Sequence, residues 1–211
     1  MRWFFAMAAA LALAGCTHSS GERADTFLNP TVAAAYIPLE GSAYLLMEGH
    51  GAGVAIGPDL AVTNAHNRNL IDDDQIIGES KNYDLLFFKT PQAAKLVIAK
   101  PYVNERVLAY GQGKNGDLRV AQGTVKWLDA EVIARCKDCT VQKAFIFEAN
   151  AGPGFSGGPV VDAQSGQLLG IVFGFQDEEG GDVEKQMYAY DMARVNVELA
   201  NIRSHPGHPA Q

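Results

Sequence analysis

Short apolar runs broken by turn residues dominate the chain from about residue 40 onward. Ser42 to Met47 and Gly51 to Ile56 are apolar stretches separated by Glu48-Gly49-His50, which predicts a hairpin. Gly57-Pro58-Asp59 predicts the next turn, followed by a short run from Leu60 to Asn64. Further strands are predicted at 75–77, 85–89, 106–110, 118–127, 143–148, 159–162, 168–175 and 187–190. Gly111-Gln112-Gly113, Asn115-Gly116-Asp117 and Gln164-Ser165-Gly166 punctuate them. Only Thr31 to Ala35, weakly, and Ala193 to Ile202 carry a helical pattern. Many short strands with frequent turns predict an all-β protein built as a sandwich or as barrels.

The first fifteen residues have a different texture. Arg2 precedes an apolar stretch from Trp3 to Ala14 that is too short to span a bilayer as a mature helix. The stretch ends Leu13-Ala14-Gly15-Cys16, which resembles the lipobox of bacterial lipoproteins; the alternative is an ordinary secretory signal. The resemblance implies a signal peptide over 1–15 and lipid on Cys16, holding the protein at a membrane. Thr17 in place of Asp leans toward the outer membrane, so the chain is expected in the cell envelope, facing the periplasm. Residues 16–38 read as a tether, with Thr17-His18-Ser19-Ser20-Gly21 small and polar and with Asn29-Pro30 and Pro38 as turn signals. The protein domain is expected over 39–202, with a frayed tail over 203–211.

Hydrophobic residues make up 47% and charged residues 19% of the 211, the balance of a folded chain. The net charge of −7, without a clustered basic stripe, speaks against a nucleic-acid partner. Cys136 and Cys139 lie in Cys-Lys-Asp-Cys. A structural zinc site needs four ligands and there is no second pair, so in an oxidising compartment a local disulfide is expected, with a free, redox or metal-related pair as the alternative. No cofactor and no metal site are expected; His18, His50, His205 and His208 share no ligand spacing.

Three segments carry chemistry together. Val62-Thr63-Asn64-Ala65-His66 ends a strand on a histidine. Tyr83-Asp84-Leu85-Leu86-Phe87-Phe88 opens an apolar strand with an aspartate. Gly152-Pro153-Gly154-Phe155-Ser156-Gly157-Gly158-Pro159 wraps a serine in glycine. Each has an ordinary explanation alone: a surface histidine, a strand-start aspartate, a turn serine. Serine hydrolysis, however, needs a nucleophile, a base beside it, an acid to orient the base, and backbone N–H groups aimed at the oxyanion. All four elements are present, in the order His, Asp, Ser.

These motifs resemble those of the chymotrypsin-fold serine peptidases, in particular the bacterial HtrA/Deg-type and glutamyl-endopeptidase-like members. The resemblance spans about residues 40–202. It implies two antiparallel β-barrels, about 39–103 and 104–192, with a short C-terminal helix over 193–202 and a cleft between the barrels. His66 is then the general base, Asp84 its orienting acid and Ser156 the nucleophile, with the N–H groups of Gly154 and Ser156 as the oxyanion hole. Asn150 and Ala151 fall at the base of the substrate pocket, and Val172, Phe173, Gly174 and Phe175 along its wall. A protein or peptide substrate follows.

Several features depart from the family pattern. Only 17 residues separate His66 from Asp84, which implies a trimmed first barrel. Asp72, Asp73 and Asp74 lie in that gap as rival acids. Phe155 stands where trypsin-type zymogens carry an aspartate, so activation by a newly cut N-terminus is not expected. The pocket positions hold no carboxylate, and a small or medium apolar residue is the implied preference. Two other readings stay open. Gly154-Phe155-Ser156-Gly157-Gly158 also fits the nucleophile elbow of α/β-hydrolases, and a protease fold can serve as an inactive binding or assembly lipoprotein.

Overall fold

The computed structural model describes residues 21–24, 29–41, 49–92, 96–113, 115–133, 141–176 and 185–205, without the side chains of Gly49 and Ile133. The predicted leader, Cys16, the Ser42–Met47 strand, the Cys136/Cys139 pair and residues 206–211 lie outside them.

The N-terminal half is a five-stranded antiparallel sheet. Its strands are β2 (Tyr36–Gly41), β3 (Gly49–Gly57), β4 (Leu60–Thr63), β5 (Ile76–Glu79) and β6 (Leu86–Phe88), in spatial order β2-β3-β4-β6-β5. Strand β6 explains its own unbroken apolar run. Leu85 and Phe87 face the central core, while Leu86 and Phe88 join Leu39, Ala61 and Ile71 on the other face of the sheet. Both faces of this strand are covered, so hydrophobic residues do not alternate with polar ones.

The C-terminal half closes on itself. Its strands are β7 (Arg106–Gln112), β8 (Leu118–Ile133), β9 (Val141–Ala149), β10 (Pro159–Asp162), β11 (Leu168–Gln176) and β12 (Lys185–Asp191). Each pairs antiparallel with two neighbours around a six-membered ring, the β8–β9 pairing making the closure. Strand β8 spans 16 residues and carries irregularities at Val125/Trp127 and Trp127/Ala130. Bulges of this kind bend a long strand and let it serve two neighbours around a curved wall. The barrel is filled by Val107, Val125, Phe147, Phe155, Leu169 and Met187. A separate core joins the two halves, with Val54, Val62 and Phe87 from one and Tyr110, Ile171 and Tyr190 from the other. Helix α2 (Met192–Ser204) follows β12, capped by Asp191 accepting from the Arg194 N–H.

The all-β, two-part chymotrypsin-type architecture with a C-terminal helix is therefore present: a closed six-stranded barrel beside a five-stranded sheet. The tether assignment needs correction. Residues Glu22–Arg23 form β1, paired with β8, and Ala24 is buried. Helix α1 (Pro30–Ala35) buries Val32 and Ala35, and β2 begins at Tyr36. Polar and turn residues disguised a stretch that alternates between core contacts and exposed positions. At the other end, Arg203 and Ser204 are the last turn of α2 rather than frayed tail.

Candidate active site

His66 sits not at the end of a strand but in the 3₁₀ turn Ala65–Leu70, directly after β4. Its ring is 44% exposed, whereas the Asp84 carboxylate is almost fully covered. Two hydrogen bonds join them. His66 Nδ1 lies 2.6 Å from Asp84 Oδ2, and the His66 main-chain N–H donates to Asp84 Oδ1 at 3.0 Å. Both carboxylate oxygens are thus engaged by the same residue, which defines the ring's position and leaves Nε2 free to face solvent or substrate.

Asp84 is itself held from behind. Its N–H donates to the Tyr190 hydroxyl at 3.2 Å, its carbonyl accepts from Asn64 Nδ2 at 2.9 Å, and Tyr190 donates on to Gln142 Oε1 at 3.0 Å. Burial, above all, lifts the Tyr190 phenol far beyond its ordinary range, so it stays protonated and can make both bonds. Its ring stacks on Phe173 at 4.0 Å with 10° between planes. The rival acids point elsewhere: Asp72, Asp73 and Asp74 are exposed, and Asp73 pairs with Arg68 at 2.8 Å.

The serine segment is two type II turns in tandem. Phe155 N–H donates to Gly152 O at 3.1 Å, with Pro153 and Gly154 between them and Gly154 at φ +92°. Gly158 N–H donates to Phe155 O at 2.9 Å, with Ser156 and Gly157 between them and Gly157 at φ +84°. A type II turn demands a positive φ at its third residue and favours proline at its second, so Pro153-Gly154 and Ser156-Gly157 suit it. The turn bonds use the N–H groups of Phe155 and Gly158. Those of Gly154 and Ser156 donate to no chain acceptor among the described residues. The chain continues into strand β10 rather than a helix, unlike an α/β-hydrolase elbow.

Phe155 anchors the tandem. It is fully buried, and its ring lies so close to Gly111 and Gly21 that a Cβ on either would come within 2.5 and 2.9 Å of ring atoms. An apolar plug thus fills the place behind the turn, and the N-terminal segment at Gly21 helps cover it. Facing the other half, the Ser156 carbonyl accepts from the Ala52 N–H at 2.9 Å and from Asn67 Nδ2 at 3.0 Å. No hydrogen bond joins Ser156 Oγ to His66 among the described residues.

Of the predicted pocket residues, Ala151, Val172 and Phe173 are buried, Gly174 and Phe175 half-buried and Asn150 exposed. Strand β11 pairs with β10 as far as Ile171 and its Val172 bonds the Gly157–Gly158 backbone, while its other edge pairs with β12 from Gly170 to Gln176. Phe173 and Tyr188 pack at 6.1 Å, and Lys185 lies over the Phe175 ring at 4.9 Å. A cavity of about 610 Å³ bounded by Ile98, Leu128, Lys143 and Val197 contains none of the predicted site residues. Among the described residues no group of three or more His, Cys, Asp or Glu could hold a metal. Sequence reasoning missed Asn64, Asn67, Gln142 and Tyr190. Nothing marks them locally, because each acts through a partner distant in the chain.

Residues 51–171 match the trypsin-like peptidase domain. Among solved structures, the chain is similar to the Rv3671c protease from M. tuberculosis in its active form, with TM-score 0.65, 22% identity, and 91% of each chain covered. It is also similar to the HtrA-type protease AlgW with a tripeptide, with TM-score 0.66, 19% identity, and 82% of this chain and 63% of that one covered. A third is the MamO protease domain from Magnetospirillum magneticum, with TM-score 0.60, 22% identity, and 81% of this chain and 97% of that one covered. No curated protein matches the sequence.

Proposed function

The chain belongs to the trypsin-like peptidase family, and from that premise we propose that it is a serine endopeptidase using His66, Asp84 and Ser156. The observation that carries the reading is the pair of hydrogen bonds that the Asp84 carboxylate accepts from the ring and main chain of His66. A carboxylate so placed selects the tautomer with Nε2 unprotonated and stabilises the imidazolium formed when His66 takes a proton. In the proposed reaction Ser156 Oγ attacks the peptide carbonyl while His66 removes its proton. The N–H groups of Gly154 and Ser156 receive the oxyanion. His66 then protonates the leaving amine, and water hydrolyses the acyl-enzyme by the same route in reverse order. Among the described residues, the edge of β11 at Phe173 to Phe175, past the bonds between Val172 and Gly157–Gly158, pairs with no strand and is suited to an extended peptide strand. A peptide substrate also accords with the tripeptide of AlgW. With the signal-like leader and Cys16, the proposed place of action is the cell envelope, with the protein anchored through lipid.

A second reading, a binding or assembly factor on an inactive protease fold, draws on the missing bond between Ser156 and His66. Catalytic hydrogen bonds often close only when substrate arrives, so activity must decide. Treatment with an alkyl fluorophosphonate is expected to label the protein, and Ser156→Ala to abolish the label. A folded sample that resists labelling would favour the binding factor.

A further inference from the structure

We propose that Asn67 is a positioning residue that registers the nucleophile against the base; this rests on the serine peptidase reading above. Asn67 directly follows His66 in the 3₁₀ turn. The histidine is exposed, whereas Asn67 is 5% exposed. Its amide nitrogen lies 3.0 Å from Thr63 Oγ1 and 3.0 Å from the carbonyl oxygen of Ser156. A primary amide has two N–H donors, and this geometry uses both.

The bonds form a closed circuit. Thr63 Oγ1 donates to Ala52 O at 2.6 Å, and the Ala52 N–H donates to the same Ser156 carbonyl at 2.9 Å. Asn67, Thr63, Ala52 and Ser156 are therefore linked in a ring that crosses from the five-stranded sheet to the barrel. Among the described residues, no other side-chain hydrogen bond links the turn at 65–70 to the loop at 152–158. Gly157 presses on the same ring, since a Cβ there would strike Ala52 O and Thr63 Oγ1.

The consequence is geometric. Two bonds to one carbonyl orient the peptide plane that follows Ser156, and with it the direction in which Oγ leaves the backbone. One of those bonds comes from the residue beside the base, so the distance between His66 and Ser156 is governed by Asn67. Reacting groups misplaced by about 1 Å can lose on the order of 100-fold in rate. Gly51 supplies the space for this amide: a Cβ there would lie 2.8 Å from Asn67 Oδ1. Gly51 has no left-handed φ, so Gly51→Ala is a test of that space and not of backbone strain.

The experiment measures both the rate and the final stoichiometry of fluorophosphonate labelling in the full chain. Asn67→Ala is expected to reach wild-type stoichiometry about 10–100 times more slowly. The midpoint of its pH dependence should not move, because the His66–Asp84 pair is untouched. Asn67→Asp keeps the volume but loses both donors, and should be slow as well. Gly51→Ala should slow labelling by displacing the amide. The double variant should be no slower than Asn67→Ala, since the group that clashes is gone. The proposal is overturned if Asn67→Ala labels at the wild-type rate. It is equally overturned if only the reactive fraction falls, or if the two single effects multiply. A folded wild-type protein that takes no label overturns the peptidase reading instead, and Asn67 then has no nucleophile to position.

Discussion

The two halves of the molecule hold the proposed base and the proposed nucleophile by different means. On the side of the five-stranded sheet, His66 is held by side-chain chemistry. Asp84 grips it twice, and Tyr190, Asn64 and Gln142 brace Asp84 in turn. On the barrel side, Ser156 is held by backbone shape, in two turns with glycine at each left-handed position and Phe155 as the plug beneath. The contrast follows from what each side must do. A base that gains positive charge needs a fixed negative partner, which only a side chain can supply. An oxyanion needs N–H groups aimed without slack, which the backbone supplies when its dihedrals are set.

The contrast can be broken from either side, and the largest effect is expected at Asp84. Asp84→Asn keeps the shape but removes the charge and disturbs the tautomer; kcat should fall by about 10⁴-fold, with the fold retained by circular dichroism. An equal loss from a change at Asp73 instead would contradict the assignment. On the barrel side, Phe155→Ala should cost about 3–5 kcal/mol of stability, since it empties a fully buried aromatic site. Denaturant unfolding measures this directly. Gly154→Ala acts on the turn itself, where φ is +92° and a Cβ would run into Gln112 O. The turn should reorient and withdraw one N–H from the oxyanion site, lowering kcat by about 10²–10³-fold while KM stays nearly constant. The smallest effect is expected from Tyr190→Phe. The stack on Phe173 survives, but Gln142 Oε1 and the Asp84 N–H each lose a partner, costing about 1–3 kcal/mol in thermal unfolding. If that variant loses as much turnover as Asp84→Asn, the bracing network is part of the catalytic unit and not a support for it.

Much of this arrangement was legible in the chain. The tandem turn is written in Pro153-Gly154 and Ser156-Gly157, because proline and glycine answer to local dihedral rules. The strand after Asp84 is written in its apolar run, and Pro159-Val160-Val161 marks a strand where an elbow would need a helix. The helix at α1 shows in the pattern of Thr31 to Ala35, but the short polar stretch before it conceals β1, whose partner β8 lies about a hundred residues away. Asn67 was invisible for a related reason. A buried asparagine has no periodic signature, and its meaning here comes from a carbonyl 89 positions further on.

The sequence by itself therefore determined the all-β class and the turn chemistry around the serine, and it supplied the proposed trio of His66, Asp84 and Ser156. These depend on residue type and near neighbours. Only the tertiary structure decided that the barrel closes through β8 and β9, that Phe155 is covered by Gly21, that Tyr190 meets the Asp84 N–H and that Asn67 meets the Ser156 carbonyl. Those contacts join residues far apart in the chain, and they come into being only when both halves have folded and packed against each other.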